Sequence, residues 1–203
     1  MKIAIVDYGM GNISSMISAL RYLGIDDIVV SHKAEELAKA DKLILPGVGN
    51  FSTAAQKISD LGLEAILYEQ VVTNKKPILG VCLGMQILGL SSTESGENRG
   101  LSFVNGSVDK FQVAGLKVPH VGCNQVIPHG ESRLYIGLSD EPDFYFTHSF
   151  KMTSPSDIGQ SVTRYGDNFI ASFEVDNIAG VQFHPELSQT NGLKLLQNFI
   201  ELF

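Results

Sequence analysis

A cysteine flanked by glycines is the strongest local signal of chemistry in the chain. Residues 80–84 read GVCLG, between a short apolar run and a helix-like segment at 85–90. This pattern is typical of a nucleophile elbow, a sharp strand-to-helix turn that a larger flanking side chain would obstruct. Such a turn lifts the Cys82 sulfur out of a sheet and places it at the positive end of a helix, which favours thiolate. A buried structural cysteine in a glycine-rich turn fits the same residues equally well.

A histidine and a glutamate near the C-terminus could complete a catalytic group. Residues 181–186 read VQFHPE, so His184 and Glu186 lie two positions apart where an apolar strand ends. Residues i and i+2 of an extended backbone point to the same side. Glu186 could therefore orient one ring nitrogen of His184 while the other faces Cys82, as nucleophile, base and orienting acid do in acyl transfer. Alone, the HPE sequence is also compatible with an ordinary strand exit.

A glycine-rich loop could supply the third requirement of amide cleavage, which is stabilisation of the oxygen that becomes negative. Residues 45–49 read LPGVG and follow another short apolar run. Backbone N–H groups of such a loop can donate to an oxyanion. We expect the amides of Val48 and Leu83 to serve in this way, and a plain strand-ending turn is the alternative for this segment.

The first half of the chain alternates between strand-like and helix-like segments. The strand-like runs lie at 2–6, 27–30, 42–45 and 77–81. The helix-like segments lie at 13–23, 34–40 and 52–72, the last interrupted near Gly62. Such alternation predicts a parallel sheet with helices on both faces and catalytic residues at the carboxyl ends of its strands.

The second half has a different texture, with closely spaced strand-like runs and short turns. These runs lie at 107–111, 117–120, 143–151, 160–165, 168–175 and 178–183, and a helical apolar face closes the chain at 192–203. We therefore predict an α/β fold whose central, mostly parallel sheet is flanked by helices and whose C-terminal half is largely antiparallel. We expect one domain over residues 1–203.

Composition excludes several classes of function. The 203 residues are 44% hydrophobic and 18% charged, enough to bury one substantial core. The net charge of −7 argues against nucleic acid as a partner, because phosphate binding needs clustered cations. The apolar run at the N-terminus is too short for a signal peptide or a membrane span. We expect a cytoplasmic protein in which Cys82 and Cys123 are free thiols.

Taken together, these residues resemble the class I, triad-type glutamine amidotransferases, which have a flavodoxin-like fold. The family's signature is the elbow continued as CLGMQ at 82–86, with HPE downstream. Within the family, the chain is most similar to the glutaminase subunits of imidazole glycerol phosphate synthase. The further matches are DYGMGN at 7–12, PGVG at 46–49, VPH at 118–120 and YFTHS at 145–149.

The resemblance implies a division of labour between two subunits. Cys82 would attack the side-chain carboxamide of glutamine, His184 would move protons, and Glu186 would hold His184. Ammonia would pass to a (β/α)₈-barrel synthase that builds the imidazole ring in histidine biosynthesis, and no metal or other cofactor is implied. Residues implied to hold glutamine are Gly47, Gly49, Gln86, Glu94, His148, Ser149 and Phe150. Residues implied near the partner interface are Asn12, His120, Cys123, Asn124 and Leu187.

Two of these positions depart from the pattern of the histidine-pathway subunits. Cys123 stands where a tryptophan is typical, and Leu187 stands where a lysine is usual. A changed partner surface leaves open a paralogous barrel synthase that amidates a sugar of a surface polysaccharide or of flagellin. A γ-glutamyl hydrolase or cysteine peptidase could use the same elbow, but Gln86, Glu94 and residues 118–124 would then lack a purpose. A non-catalytic binding subunit would need a broken triad.

Overall fold

The computed structural model describes residues 1–112 and 115–203. Its strands are β1 Ile3–Val6, β2 Ile28–Ser31, β3 Lys42–Gly47, β4 Ile78–Cys82, β5 Ser91–Ser92, β6 Asn98–Arg99, β7 Ser107–Lys110, β8 His120–Gln125, β9 Asp143–His148, β10 Phe150–Thr153, β11 Ser161–Tyr165, β12 Asp167–Val175 and β13 Ile178–Val181. Its helices are α1 Ile13–Tyr22, α2 Ala34–Lys39, α3 Phe51–Asp60, α4 Leu63–Leu67, α5 Leu83–Ile87 and α6 Gln189–Leu202. The predicted alternation of the first half is confirmed.

A seven-stranded sheet in the order β11-β12-β13-β4-β3-β1-β2 forms the centre of the fold. The strands from β2 to β13 in this order are all parallel, whereas β12 and β11 continue the sheet in antiparallel pairing. Gly47 of β3 pairs with Cys82, and Val181 of β13 pairs with Val81 of β4. The carboxyl ends of three neighbouring strands therefore meet at Cys82, as expected of a parallel sheet with a site at this edge.

Helices cover both faces of this sheet because alternate side chains of its strands point to opposite sides. Ile3 and Ile5 join one apolar core with residues of α1 and α6, and Ala4 and Val6 join a second core with residues of α2 to α5. All four side chains are fully buried. Both cores fix the height of the central strands, so the residues at their carboxyl ends are held on a rigid support.

The long helical segment predicted at 52–72 is divided in the structure, near the glycine expected to interrupt it. Gly62 has a φ of 63°, a left-handed conformation that separates α3 from α4. Residues Tyr68–Thr73 continue α4 as a π-helical turn. Asn50 begins α3, because its side chain accepts a hydrogen bond from the Thr53 amide at 3.1 Å. The loop of β3 therefore leads directly into a capped helix.

Two of the predicted strands of the second half have different boundaries in the structure. The strand predicted at 117–120 is wrong in its extent, because β8 begins at His120 and runs to Gln125; Pro119 has no N–H to donate to a ladder. The run predicted at 143–151 divides at Ser149, where the chain passes from pairing with β8 to pairing with β7. The short strands β5 and β6 were not predicted.

Antiparallel pairing dominates this half, as predicted, outside the parallel contacts of β13 with β4 and of β5 with β7. Within the part of the chain that the structure describes, no helix is both long enough and apolar enough to cross a membrane.

Candidate active site

Cys82 lies at the turn between β4 and α5 in a conformation that an ordinary side chain rarely adopts. Its φ is 54° and its ψ is −110°, and it is only 6% exposed. Its flanking glycines are required sterically. A Cβ on Gly84 would lie 1.8 Å from the carbonyl oxygen of Leu45, and a Cβ on Gly80 would lie 2.8 Å from that of Gly84. The chain therefore forms the sharp turn predicted for residues 80–84, with a strained residue at its tip.

His184 and Glu186 are in contact, although not for the reason that the sequence suggested. Nδ1 of His184 lies 2.9 Å from Oε1 of Glu186. Strand β13 already ends at Val181, and Pro185–Leu187 form a 3-10 turn rather than extended backbone. Ser188 stabilises this turn, since its hydroxyl donates to the carbonyl oxygen of His184 at 2.6 Å. The i, i+2 contact is thus made by a turn and not by strand geometry.

The charge state of His184 is set by its two neighbours. Burial alone would lower the pKa of its ring, but hydrogen bonding and charge from Cys82 and Glu186 raise that pKa to about 10. The histidine and glutamate side chains are 3% and 2% exposed. Nε2 of His184 has no hydrogen-bond partner of normal geometry among the described residues. The Nε2 proton of an imidazolium ring is therefore available to the Cys82 sulfur, the second group that raises the pKa of His184.

A pocket of roughly 290 Å³ opens above the cysteine and the histidine. It is lined by Val48, Gly49, Cys82, Leu83, Gln86, Glu94, Pro119, Thr147, His148, Ser149, Phe150 and His184. The structure therefore brings together both oxyanion candidates and nearly all residues expected to hold a substrate. Pro119 and Thr147 also line the pocket and were not singled out, although Thr147 precedes a predicted site residue on β9.

Gly47 is the exception among the expected substrate-binding residues. It does not line the pocket but is buried beneath the turn. A Cβ at this position would lie 2.6 Å from the Gly84 amide nitrogen and 2.8 Å from Cβ of Leu83. Gly47 therefore allows β3 to pack closely against the turn that carries Cys82. A contact between Gly47 and the substrate stays a prediction.

Glu94 reaches the pocket from the loop between β5 and β6. Its Oε2 accepts a hydrogen bond from the Phe51 amide at 2.7 Å, at the start of α3. Asn50 ties the same loop to this helix, because its Nδ2 donates to Ser95 Oγ at 3.0 Å. One carboxylate is thereby fixed at the pocket wall, where it can attract a cationic group of a ligand.

His148 and His120 form a neutral pair on the opposite wall. Burial lowers the pKa of His148 to about 3 and that of His120 to about 4. His120 is only 3% exposed and stacks on Tyr165 with ring centroids 4.1 Å apart. His120 itself therefore presents almost no surface, and its ring contacts the half-buried Asn124. Its position near a partner interface stays a prediction.

The other expected interface residues lie on a surface beside the catalytic turn. Cys123 and Leu187 line the same groove, and Leu187 is 45% exposed. Asn12 begins α1, which packs against the 3-10 turn of Leu187, but it does not line that groove. Both cysteines are free, as predicted, with Cys82 buried and Cys123 exposed. Among the described residues, no three His, Cys, Asp or Glu side chains are grouped to hold a metal ion.

Gln182 is a site residue that sequence reasoning missed. It is fully buried, and its Nε2 lies 3.7 Å from the Cys82 sulfur. Its Oε1 accepts a hydrogen bond of 2.9 Å from Gln86. The available signal was a lone amide between Val181 and Phe183, since a polar residue in an apolar strand exit needs a buried partner.

Comparison with known proteins places this geometry in a family. A family model described as glutamine amidotransferase class-I matches residues 4–202. The imidazole glycerol phosphate synthase subunit HisH 1 of Campylobacter jejuni is 43% identical, over 98% of this chain and 100% of its own length. The corresponding HisH subunit of Aquifex aeolicus is 41% identical, over 98% of this chain and 96% of its own length.

Solved structures agree on the fold. A crystal structure of a glutamine amidotransferase superposes with a TM-score of 0.75 at 21% identity, covering 98% of this chain and 97% of that chain. A glutamine amidotransferase from Thermotoga maritima gives a TM-score of 0.66 at 15% identity, covering 99% of this chain and 81% of that chain. At these identities the likeness concerns the fold alone.

Proposed function

The chain belongs to the class-I glutamine amidotransferase family, and we propose that it is the glutaminase subunit of an imidazole glycerol phosphate synthase. In this role it hydrolyses glutamine to glutamate and ammonia for histidine biosynthesis. The observation that carries the proposal is the meeting of a strained Cys82 with the buried His184–Glu186 pair at the floor of one small pocket. The names of relatives about 41–43% identical over nearly their full length support the pathway.

The first half of the reaction forms a thioester. The Cys82 thiolate attacks the carboxamide carbon of glutamine, a C–S bond forms, and the amide oxygen takes up the negative charge. The amides of Val48 and Leu83 are the proposed donors to this oxygen, because both residues line the pocket beside the sulfur. The His184 imidazolium then gives its proton to the amide nitrogen, the C–N bond breaks, and ammonia leaves.

The second half of the reaction releases glutamate. His184, now neutral, takes a proton from a water molecule, which attacks the thioester carbon while the same amides hold the oxygen. The C–S bond breaks, and the thiolate beside the imidazolium is restored. Glu186 keeps the ring in one orientation through the 2.9 Å contact at Nδ1, so Nε2 serves both proton transfers.

Glutamine has a cationic and an anionic group at the end remote from its amide. We assign the α-ammonium to Glu94, whose carboxylate is held at the pocket wall by the Phe51 amide. Gly49, Gln86 and the backbone of residues 148–150 complete the proposed binding wall. Since His148 is neutral, it adds no positive charge that would repel the ammonium.

Ammonia must reach a second active site, and we propose that a (β/α)₈-barrel synthase subunit receives it. Cys123 and Leu187 line a groove directly beside the His184–Glu186 turn, and Asn124 and Asn12 flank this region. Leu187 follows Glu186 in sequence, so contact with a partner there could move the histidine itself. The proposed interface is therefore contiguous with the catalytic turn.

The proposal is tested by measuring glutamate release from glutamine by the chain alone, with the barrel synthase, and with the synthase plus its nucleotide substrate. We expect a large rise that requires both additions, and Cys82→Ser as the control should show none. If a glutamine analogue alkylates Cys82 but glutamate release does not rise, the glutaminase activity is supported and the partner is another synthase, such as a sugar-amidating one. Hydrolysis of γ-glutamyl peptides without any partner would contradict the subunit role.

A further inference from the structure

A line of buried and partly buried hydrogen bonds, with no part in the proton transfers, ends at the nucleophile. Asn124 Nδ2 lies 3.3 Å from His120 Nε2, and His120 Nδ1 lies 3.1 Å from His148 Nε2. His148 Nδ1 lies 2.8 Å from the Phe150 carbonyl oxygen. This oxygen is also 3.2 Å from Gln86 Nε2, from which the line continues through Gln182 to the Cys82 sulfur. We call these residues the amide–histidine chain.

The positions of the protons in the histidine part follow from one acceptor. A carbonyl oxygen only accepts, so Nδ1 of His148 carries a hydrogen and donates to Phe150. Burial keeps both rings neutral at about pH 7, so Nε2 of His148 carries no hydrogen and can only accept. Nδ1 of His120 must then donate to it, and Nε2 of His120 must accept from Asn124. Each ring therefore has one tautomer.

The orientation of Asn124, at the far end of the histidine part, is fixed as well. The amide group of Asn124 has two protons, one for His120 and one for the Arg164 carbonyl oxygen at 3.0 Å. Its own oxygen accepts from the Gln125 amide at 2.9 Å. The side chain of Asn124 therefore cannot turn over without placing its oxygen against another oxygen.

The Phe150 carbonyl fixes the glutamine part in the same way. Gln86 must point its NH₂ group toward this oxygen, and the second proton of that group is donated to Oε1 of Gln182 at 2.9 Å. Gln182 is then obliged to aim its own NH₂ at the Cys82 sulfur, at 3.7 Å. With Gln182 reversed, its NH₂ group would face the NH₂ group of Gln86, and two donors would lack an acceptor in a fully buried position.

We propose that Gln182 is a positioning residue for Cys82, and that the amide–histidine chain back to Asn124 holds its NH₂ group on the sulfur. The donor steadies the thiolate through this second contact and carries no charge itself. His184 and Tyr8 are the two titratable groups whose pKa values respond to the charge of the same sulfur. Tyr8 stays neutral, because burial raises its pKa and its hydroxyl donates to Pro46.

The experiment compares variants of the full chain, with Cys123→Ser added for alkylation so that only Cys82 reacts, and with Cys123 retained for kinetics because it lies in the proposed interface. The rate of alkylation by iodoacetamide is measured against pH, and kcat and KM for glutamine are measured with the synthase. We expect Gln182→Met to move the midpoint of the alkylation curve upward by about one pH unit and to lower kcat about tenfold, equivalent to about 1.4 kcal/mol, with KM changed less than about threefold. An unmoved alkylation curve would overturn the proposal, whatever happens to kcat.

A second variant tests the proposal even if Gln182→Met does not fold. Asn124→Ala removes the far donor at a half-buried position and should move the midpoint in the same direction, by roughly a third of a pH unit. Asn177→Ala is the matched control, since this amide also donates two hydrogen bonds, in its case to the carbonyls of Val71 and Lys76, but lies at the opposite end of β13. Equal shifts of the alkylation midpoint in both variants, or no shift in Asn124→Ala, would contradict the proposed role of the amide–histidine chain.

The inference rests on the proposed glutaminase chemistry for its kinetic part only. Alkylation needs neither glutamine nor a partner, so the two ideas can fail separately. If the unmodified chain does not hydrolyse glutamine but Gln182→Met still moves the curve, the function is refuted and the positioning role is supported.

Discussion

Two histidines border the same pocket, and their surroundings give them opposite protonation states. His184 is 2% exposed and has a pKa of about 10, whereas His148 is 6% exposed and has a pKa of about 3. Burial lowers the pKa of both rings and so cannot explain the difference. The pKa of His184 is raised by hydrogen bonding and charge from Cys82 and Glu186, whereas His148 faces Phe111, Phe146 and a second neutral histidine. The neighbouring charge decides whether a buried histidine transfers protons or only supports a wall.

The largest expected effect follows from Cys82→Ser, which removes the nucleophile and one of the two groups that raise the pKa of His184. A serine hydroxyl does not ionise near neutral pH, so it cannot replace the thiolate beside His184 or attack the carboxamide of glutamine. Glutamine hydrolysis by the complex should fall by at least about 10³-fold. Synthesis driven by added ammonia should be unchanged, because the partner's site is untouched. Loss of both activities would contradict the division of labour.

A smaller effect is expected from Glu186→Gln, which makes His184 more like His148. Without the carboxylate, the pKa of His184 falls, so the imidazolium loses its proton at lower pH and the alkaline limb of the rate profile moves to lower pH. We expect kcat to fall roughly 10²-fold, less than for His184→Asn. The measurement is kcat for glutamine between about pH 6 and pH 10. This range runs from near the ordinary histidine pKa of 6.5 to the raised pKa of His184, about 10. An alkaline limb that stays in place would remove Glu186 from its assigned role.

A third effect concerns stability rather than rate and tests the neutral side of the pocket. The pKa values of His120 and His148 are lowered to about 4 and about 3 from the ordinary 6.5, so the unfolded chain binds protons that the folded chain does not. The free energy of unfolding should therefore fall as the pH drops from about 6.5 toward 4, by up to about 1.4 kcal/mol per pH unit for each ring.

Urea unfolding at several pH values measures this slope. His120→Asn keeps a donor toward His148 but removes one titrating ring, so its stability should depend less steeply on pH. His129→Gln, in a loop outside the aromatic cluster, should retain the slope of the parent chain. If the two variants have the same slope, the buried pair is not what destabilises the fold in acid.

The sequence predicted the parallel half of the fold and the catalytic residues because both depend on local patterns. Apolar runs that alternate with helical periods predict parallel strands, and the glycines at 80 and 84 identify the turn between a strand and a helix. The position of Cys82 then follows, since the carboxyl ends of neighbouring parallel strands meet at one edge. The contact of His184 with Glu186 was predicted from the wrong backbone geometry, because the 3-10 turn depends on Ser188.

The remaining features depend on contacts between distant segments. The burial of His120 depends on Phe146 and Tyr165, which stack on it from two other strands. Gly47 has the sequence context of a substrate loop, and only the approach of Gly84 reveals it as a packing residue. The hydrogen bond from Gln182 to Cys82 joins residues 100 positions apart. The periodicity of apolar residues along the sequence does not predict contacts between residues so far apart.

The φ of 54° at Cys82 has a consequence for how this protein could lose its activity and survive. A non-glycine residue in this conformation costs about 1–3 kcal/mol, which glycine would largely relieve. Cys82→Gly should therefore give a chain that is inert toward glutamine yet more resistant to heat than its parent. A duplicated gene released from selection for ammonia production would have an open route to such a scaffold, since most substitutions that end catalysis elsewhere in the site leave the strain in place.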